Sequence, residues 1–425
     1  MSRQMKDSGI PWIGAIPENW KSKRFKYSGS FQKGKLPSNT NDENIGLPII
    51  GASEMLGKTP RQYSTDNSVP ICNKNDILIL WDGANAGLIA SNLEGIISST
   101  AASYTCHDKS FYWNYIYYLL KSSEPYFKDK VFGTTIPHMN LSYIDDIPML
   151  LPPFEDQKQI ADFLDQKCGE VDEMVSLQEK IIEELKAYKQ AIITEAVCKG
   201  LNPDAEMKDS GIKWLGDIPK HWKMEPLKYI LKRRQQKNNP ILTTERLSLS
   251  IDKGITLYAE KTTNLDRFKE DFTQYQVAYP NDIVLNCMNM IVGAVGLSKY
   301  MGCVSPVYYV IYPSNEGVDA LYYSYLLNIP TIRGLYYSMG KGIYAIERGE
   351  GRVNTCRLKV SYDDFGRLDI PVPPIDEQKE ITKFIVNKSA EIENLIALKQ
   401  QKIEELKEYK KSIIYEYITG KKEVV

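Results

Sequence analysis

From Ile160 to Ile192, apolar side chains recur at alternating steps of four and three. The positions are Ile160, Leu164, Val171, Met174, Ile181, Leu185, Tyr188 and Ile192, with Lys167 and Gln178 filling the two gaps. The same register returns at Ile381, Ile385, Ile392, Leu395, Leu406, Tyr409 and Ile413. Such spacing over about forty residues predicts a long helix with one apolar seam matched to another helix. Each run follows a proline pair, Pro152-Pro153 and Pro373-Pro374, which suits a first helical turn. Gly169 falls inside the first run, where glycine costs about 1 kcal/mol. Two such helices bury both seams most economically by pairing antiparallel with each other. The alternative is that each packs on its own globular unit.

Upstream of each helix the pattern changes. Short Val/Ile/Tyr/Thr-rich runs, bounded by Gly, Asn, Asp and Pro, predict strands and turns. One helical stretch interrupts them, FYWNYIYYLLKS in the first half and VDALYYSYLLNI in the second. The two halves also share words in an unchanging order. MKDSGIPWIGAIPENWK at Met5 returns as MKDSGIKWLGDIPKHWK at Met207, NDILIL at Asn75 as NDIVLN at Asn281, and LPPFEDQKQI at Leu151 as VPPIDEQKEI at Val372. The offset creeps from 202 to 221 through small insertions, so one unit is written twice. The resulting division is residues 1–152, a first mixed domain; 153–200, a long helix; 201–206, a linker; 207–373, a second mixed domain; 374–420, a second long helix; and 421–425, a tail. The class is α+β: two similar mixed α/β domains separated by two long helices in an antiparallel coiled coil, with an internal pseudo-two-fold repeat.

Composition narrows the function only slightly. Hydrophobic residues at 43% and charged residues at 25% are ordinary for a globular protein. No apolar run approaches the ~20 residues that span a bilayer, and the start lacks a signal-peptide pattern, so a cytoplasmic protein is expected. Seven cysteines and three histidines are dispersed without a C-x-x-C pair, which argues against zinc and for a reducing compartment. The net charge of −1 hides local differences. Residues 1–150 hold 15 basic against 14 acidic side chains, 151–200 hold 6 against 11, and 220–370 hold 20 against 15. Charge alone does not make a nucleic-acid case.

Motifs with catalytic chemistry do not assemble. Pro152-Pro153-Phe154 resembles part of an amino-methyltransferase site, but Leu151 and Val372 stand where a side-chain acceptor is needed. GANAG at Gly83 lacks the lysine and spacing of a phosphate loop. Asp145-Asp146 and Asp363-Asp364 have no accompanying nuclease motif, and His107, His138 and His221 have no Ser or Cys partner nearby in sequence. Candidate DNA contacts are more plausible: Lys33, Lys35, Asn39, Lys58 and Arg61 in the first half, and Lys232, Arg233, Arg234, Lys237, Asn238, Lys341, Arg348 and Arg352 in the second. Lys and Arg reach phosphates, while Arg and Asn can read base edges. The competing reading of each is a solvated loop.

The opening W-[IL]-G-x-I-P-x-x-W, the [LV]-P-P-[FI]-[ED]-[DE]-Q-K-x-I before each long helix, and the segment SKYMGCVSPVYYV resemble the DNA-specificity subunit of type I restriction–modification systems. The resemblance implies two target-recognition domains, each reading half of a split double-stranded DNA site, held apart by the helices. It implies no catalysis and no cofactor on this chain. S-adenosylmethionine, ATP and Mg are expected on partners, namely two methyltransferase subunits and motor–nuclease subunits. Divergence between the halves predicts two different half-site sequences. Two competitors are a self-contained restriction or methylation enzyme and a coiled-coil scaffold with two protein-binding domains and no direct DNA role.

Overall fold

A computed structural model describes residues 4–10, 12–129, 138–139, 148–251, 253–260, 271–343, 347–348, 352–353 and 357–424. Asp145-Asp146 and Cys356 lie outside them. The chain forms two compact units, one of residues 1–180 with 399–425 and one of residues 181–398. Each unit takes its core from one mixed α/β stretch and from one segment of each long helix.

Both units begin on the same hairpin. Met5–Asp7 pairs antiparallel with Ala15–Pro17, and Met207–Asp209 with Asp217–Pro219, in registers that correspond residue for residue. The turn is closed by local side chains. Asp7 accepts from the Gly9 amide and Ser8 from the Ile10 amide; Asp209 and Ser210 do the same for Gly211 and Ile212. Gly9 and Gly211 sit at φ +70° and +72°, the left-handed region where a side chain is disfavoured. The signature tryptophans, Trp20 and Trp222, are fully buried.

A four-stranded antiparallel sheet follows in each unit. Its order in the first is Gly29–Lys33, Ala101–Cys106, Ile77–Leu80, Ile89–Ala90. In the second it is Leu231–Arg234, Tyr308–Pro313, Ile283–Asn286, Val295–Leu297. The units differ beyond this frame. The first adds a second four-stranded sheet containing a parallel pair, Leu47–Ile50 with Gly95–Ile97. The second has two separate two-stranded sheets, the hairpin Leu247–Ser250 with Gly254–Leu257 and the antiparallel pair Gln276–Ala278 with Gly302–Val304, whose strands are not consecutive. The aromatic helices, Trp113–Ser122 and Ala320–Leu326, turn most of their tyrosines into the core, including Tyr115, Tyr118, Tyr322 and Tyr323.

The closing strand of each stretch, Pro148–Leu151 or Asp369–Val372, pairs with the strand just after the signature, Lys21–Arg24 or Lys223–Pro226. The long helices start there, at Phe154–Lys199 and Ile375–Ile418. Gly169 lies within the first without ending it. A buried glutamine from the repeated motif ties each start in place. Gln157 accepts from the Tyr112 amide and donates to the Ser110 and Pro152 carbonyls. Gln378 accepts from the Asp319 amide and donates to the Gly317 and Pro373 carbonyls. Tyr112 and Asp319 are the residues that precede the aromatic helices. The far ends are also held. Tyr322 donates to the Val197 carbonyl and Tyr115 to that of Ile418. Gly200 and Gly420 adopt φ +76° and +70° there, and a Cβ on Gly420 would fall 2.6 Å from Pro17.

Within each unit the helix segments pair antiparallel. Asp172 meets Lys410 at 2.7 Å and Phe163 packs against Tyr417 in the first; Lys189 pairs with Glu393 in the second. Ile160, Leu164, Val171, Ile381, Ile385, Ile392, Leu406 and Ile413 are buried as the heptad pattern predicts. Ile181, Leu185 and Ile192 are half-buried. Met174 and Leu395 depart from the expectation, being 48% and 46% exposed, while Ile182 and Ile403 are buried in their stead. The reason is helical pitch. Ile182 follows Leu164, and Ile403 follows Ile385, by 18 residues, which is five turns at about 3.6 residues each, whereas a strict seven-residue repeat drifts by about 20° per heptad.

Replacing Gln378 by Leu strands one amide and two carbonyls, and it is expected to lower stability by about 3 kcal/mol in urea unfolding. Glu380→Ala, an exposed change on the same helical turn, should stay within about 0.5 kcal/mol. Equal effects would deny the glutamine its role.

Candidate nucleic-acid interface

The basic residues singled out by sequence divide into two groups. Lys33, Lys35, Lys58, Arg61, Lys232, Lys237 and Lys341 are exposed. Lys33 ends the first strand of its sheet, its Nζ 3.6 Å from Asp82, which also binds His138 Nδ1 at 2.7 Å. The His138 ring thus has a carboxylate partner and no nucleophile between them. Lys237 donates to Gln274 at 3.2 Å. Lys232 extends from the edge strand Leu231–Arg234 of the second unit's sheet and forms no ion pair among the described residues. Asn39 is exposed, but its carbonyl oxygen accepts from the Ser64 hydroxyl and the Thr65 amide.

The second group is committed to the fold. Asn238 is fully buried; its side chain accepts from the Leu242 and Thr243 amides and donates to the Thr243 carbonyl and Cys303. It cannot meet DNA. Arg233 and Arg234 project to opposite sides of their strand, as successive strand residues must. Arg234 binds Asp282 through Nε and an Nη at 2.7 and 2.9 Å and lies over Tyr279 and Tyr312. That pairing raises the Arg234 pKa further, and Asp282 is only 2% exposed. Arg233 lies between the rings of Tyr309 and Tyr362, at 5.0 and 4.8 Å. A run of Lys-Arg-Arg therefore leaves one exposed cation, Lys232. Arg348 and Arg352 belong to facing two-residue strands, and their side chains lie outside the described ones.

Other suspected motifs resolve into structure. Gly83 and Gly87 take φ +105° and +91° in the turn between Ile77–Leu80 and Ile89–Ala90. Asp363-Asp364 starts a short helix, with Ser361 accepting from the Asp364 amide. Burial pushes the thiols of Cys72 and Cys198 up to about 11 and about 12, so neither is a nucleophile near neutrality. Among the described residues, no cluster of His, Cys, Asp and Glu could hold a metal ion, and no helix is long and apolar enough to cross a membrane.

One repeated surface feature escaped sequence reasoning. Tyr27 and Tyr229 are 63% and 61% exposed, each with the preceding lysine over its ring, at 5.4 and 5.0 Å. Their identity between the halves was visible, but nothing in the pattern separated exposed identities from buried ones.

Residues 17–187 match the family model described as the type I restriction modification DNA specificity domain. The chain is 34% identical over 219 residues to the type I restriction enzyme MjaVIII specificity subunit of Methanocaldococcus jannaschii; the match covers 51% of this chain and only half of that protein. It is 21% identical over 387 residues to the EcoDI specificity subunit of Escherichia coli, covering 87% and 81%. A chain solved in work on complex assembly and conformational transition of the type I R–M system has the same fold at a TM-score of 0.63. Its identity is 16%, with 95% of this chain and 99% of that one covered.

The two groups of basic residues predict separable phenotypes. Lys232→Ala should leave unfolding unchanged while weakening binding to duplex DNA and reducing its log–log salt slope by about 1. Arg234→Met should destabilise the chain by about 3 kcal/mol, because Asp282 loses its partner in the interior. Salt-dependent binding and urea unfolding of both variants check this; a reversed pattern would contradict it.

Proposed function

We propose that this chain is a type I restriction–modification DNA-specificity subunit, as its likeness to that family suggests, and reads a bipartite, asymmetric double-stranded DNA site, one half with each unit. The observation that carries this reading is a shared frame with unshared surfaces. Hairpin, central sheet and glutamine clasp recur in both units. The exposed lysines match only in part: at the offset of 202 Lys35 corresponds to Lys237, but Lys33 to Gln235 and Lys232 to Ser30. A common frame suits a common task on B-form DNA, and different surfaces suit different half-sites. Two similar readers in one chain fit a split site whose halves lie about one helical turn apart, with the long helices as the spacer.

The same helices are the platform for partners. In the first unit Met174, Leu177 and Tyr409 are exposed, and in the second Leu395, Leu398 and Tyr188. These are equivalent positions of the two repeats, so each unit offers one aromatic and two aliphatic side chains to one copy of the same protein. Two methyltransferase subunits, followed by motor–nuclease subunits, are the partners that this duplication fits. S-adenosylmethionine, ATP and Mg belong to those subunits, and this chain contributes recognition without catalysis. A scaffold without a DNA role would leave the divergence of the exposed basic surfaces without a purpose.

Mapping of methylated adenines in the host, with and without this gene, tests the reading. Loss of one split, asymmetric motif on deletion is expected. An unchanged methylome in a host with an active system would overturn it.

A further inference from the structure

The two units are not equivalent where each long helix ends on an opening signature. In the first unit two tyrosines of the second helix fill that junction. Tyr417 packs on Phe163 with ring centroids 4.5 Å apart and the rings tilted by 37°. Tyr415 donates to the Trp12 carbonyl at 2.9 Å and accepts from Lys421. Glu416, between them, is neutralised by Lys422 at 2.8 Å.

The offset of 221 places Thr194, Glu195 and Ala196 at the corresponding positions of the first helix, and Phe384 opposite Phe163. None of the three supplies what the first unit has. Thr194 bends back to the Gln190 carbonyl of its own helix. Ala196 has no ring to lay on Phe384. Glu195 is exposed and has no ion pair among the described residues. The result is a cleft of about 630 Å³, lined by Ile192, Ala196, Leu201, Met207 and Phe384, with Tyr188 beside them. Of its charged lining, Lys388 is already paired with Glu391 at 2.7 Å. That leaves Glu195 and Asp217 against Lys199, a net acidic rim around an apolar floor.

We infer that this cleft is a docking site for an aromatic side chain flanked by a lysine or arginine, presented by a partner protein. The occupant's chemistry is read from the first unit, where the chain itself provides a ring for Phe163 and a cation for Glu416. In the second unit the ring for Phe384 and the cation for Glu195 come from outside. An aromatic anchor entering a preformed pocket, with charge complementarity at its rim, is the arrangement that concentrates binding energy at interfaces. Tyr188 belongs both to the cleft and to the exposed helix surface assigned above to the methyltransferase subunit, so that subunit is the partner. This assignment rests on the reading in the preceding section. It adds that the two methyltransferase subunits are held unequally, the copy on the second unit gaining an anchor that the copy on the first lacks.

Two variants of the full chain test this with the co-expressed methyltransferase subunit as the probe. Ala196→Tyr combined with Thr194→Tyr plugs the cleft as the first unit is plugged. Glu195→Lys, an exposed change that spares the core, supplies the cation in cis and repels the incoming one. Native mass spectrometry across a dilution series reads how many methyltransferase copies remain, and thermal unfolding reports whether each variant folds. Either folded variant should hold the copy on its second unit about tenfold more weakly than the parent chain does, so that both copies are lost over the same dilutions, at which the parent still keeps one. If the plugged variant does not fold, Glu195→Lys decides alone. Two copies retained at the parent's affinity would overturn the cleft assignment while leaving the DNA-specificity reading intact. A parent chain that binds no methyltransferase subunit would overturn both.

Discussion

A buried side-chain amide at the start of each long helix is the constraint on which the rest of the architecture depends. The first turn of a helix has amides without intrahelical partners, and the segments arriving there bring carbonyls of their own. Gln157 and Gln378 bind the arriving segments: each accepts one main-chain amide and donates to two carbonyls. The amide that each binds belongs to the residue preceding the aromatic helix. The mixed α/β stretch is thereby fixed to the helix that follows it. Tyr115 and Tyr322 complete the attachment from the other direction by donating to the last carbonyls of a long helix. Each stretch is thus fastened to two helix ends, one beginning and one finishing, and sits on a rigid mount.

A mount of this kind separates what must be constant from what can vary. The hairpin, the central sheet and the glutamine are spent on holding position, and their equivalence between the units reflects that common duty. The surplus sheet of the first unit and the two-stranded sheets of the second are free to differ. Even on the shared sheet the chemistry differs: Lys33 of the first unit corresponds to Gln235 of the second, and Arg233 and Arg234 of the second, held by Tyr309, Tyr362 and Asp282, correspond to Phe31 and Gln32 of the first. A reader of two unlike half-sites needs this combination, since geometry has to be shared while chemistry has to diverge.

Much of this was legible in the sequence because duplication is a strong signal. The repeated Trp, Gly and Pro positions, the proline pairs and the apolar periodicity gave the order of elements and both long helices. The seam was read less well. A strict seven-residue repeat put Met174 and Leu395 inside, where a 3.6-residue pitch puts Ile182 and Ile403. Basic residues were harder still. Lys232, Arg233, Arg234, Lys237 and Asn238 look alike as a cluster, but strand alternation and the partners Asp282, Tyr309 and Tyr362 assign them opposite fates. Those partners lie tens of residues away, so local pattern carried no trace of them. The tyrosines that fill one junction and the small residues that leave the other open were visible as differences. They acquired meaning only when Phe163 and Phe384 were seen facing them.

The central claim is that each unit reads its own half-site on a common mount. The most direct measurement is a methylome of cells carrying this chain with residues 230–365 replaced by the corresponding stretch of a second specificity subunit, the hairpins, glutamine clasp and helices being retained. The account predicts that one half of the methylated motif changes to that of the donor, while the other half and the gap stay as they were. A motif altered in both halves, or in neither while methylation persists, would contradict it.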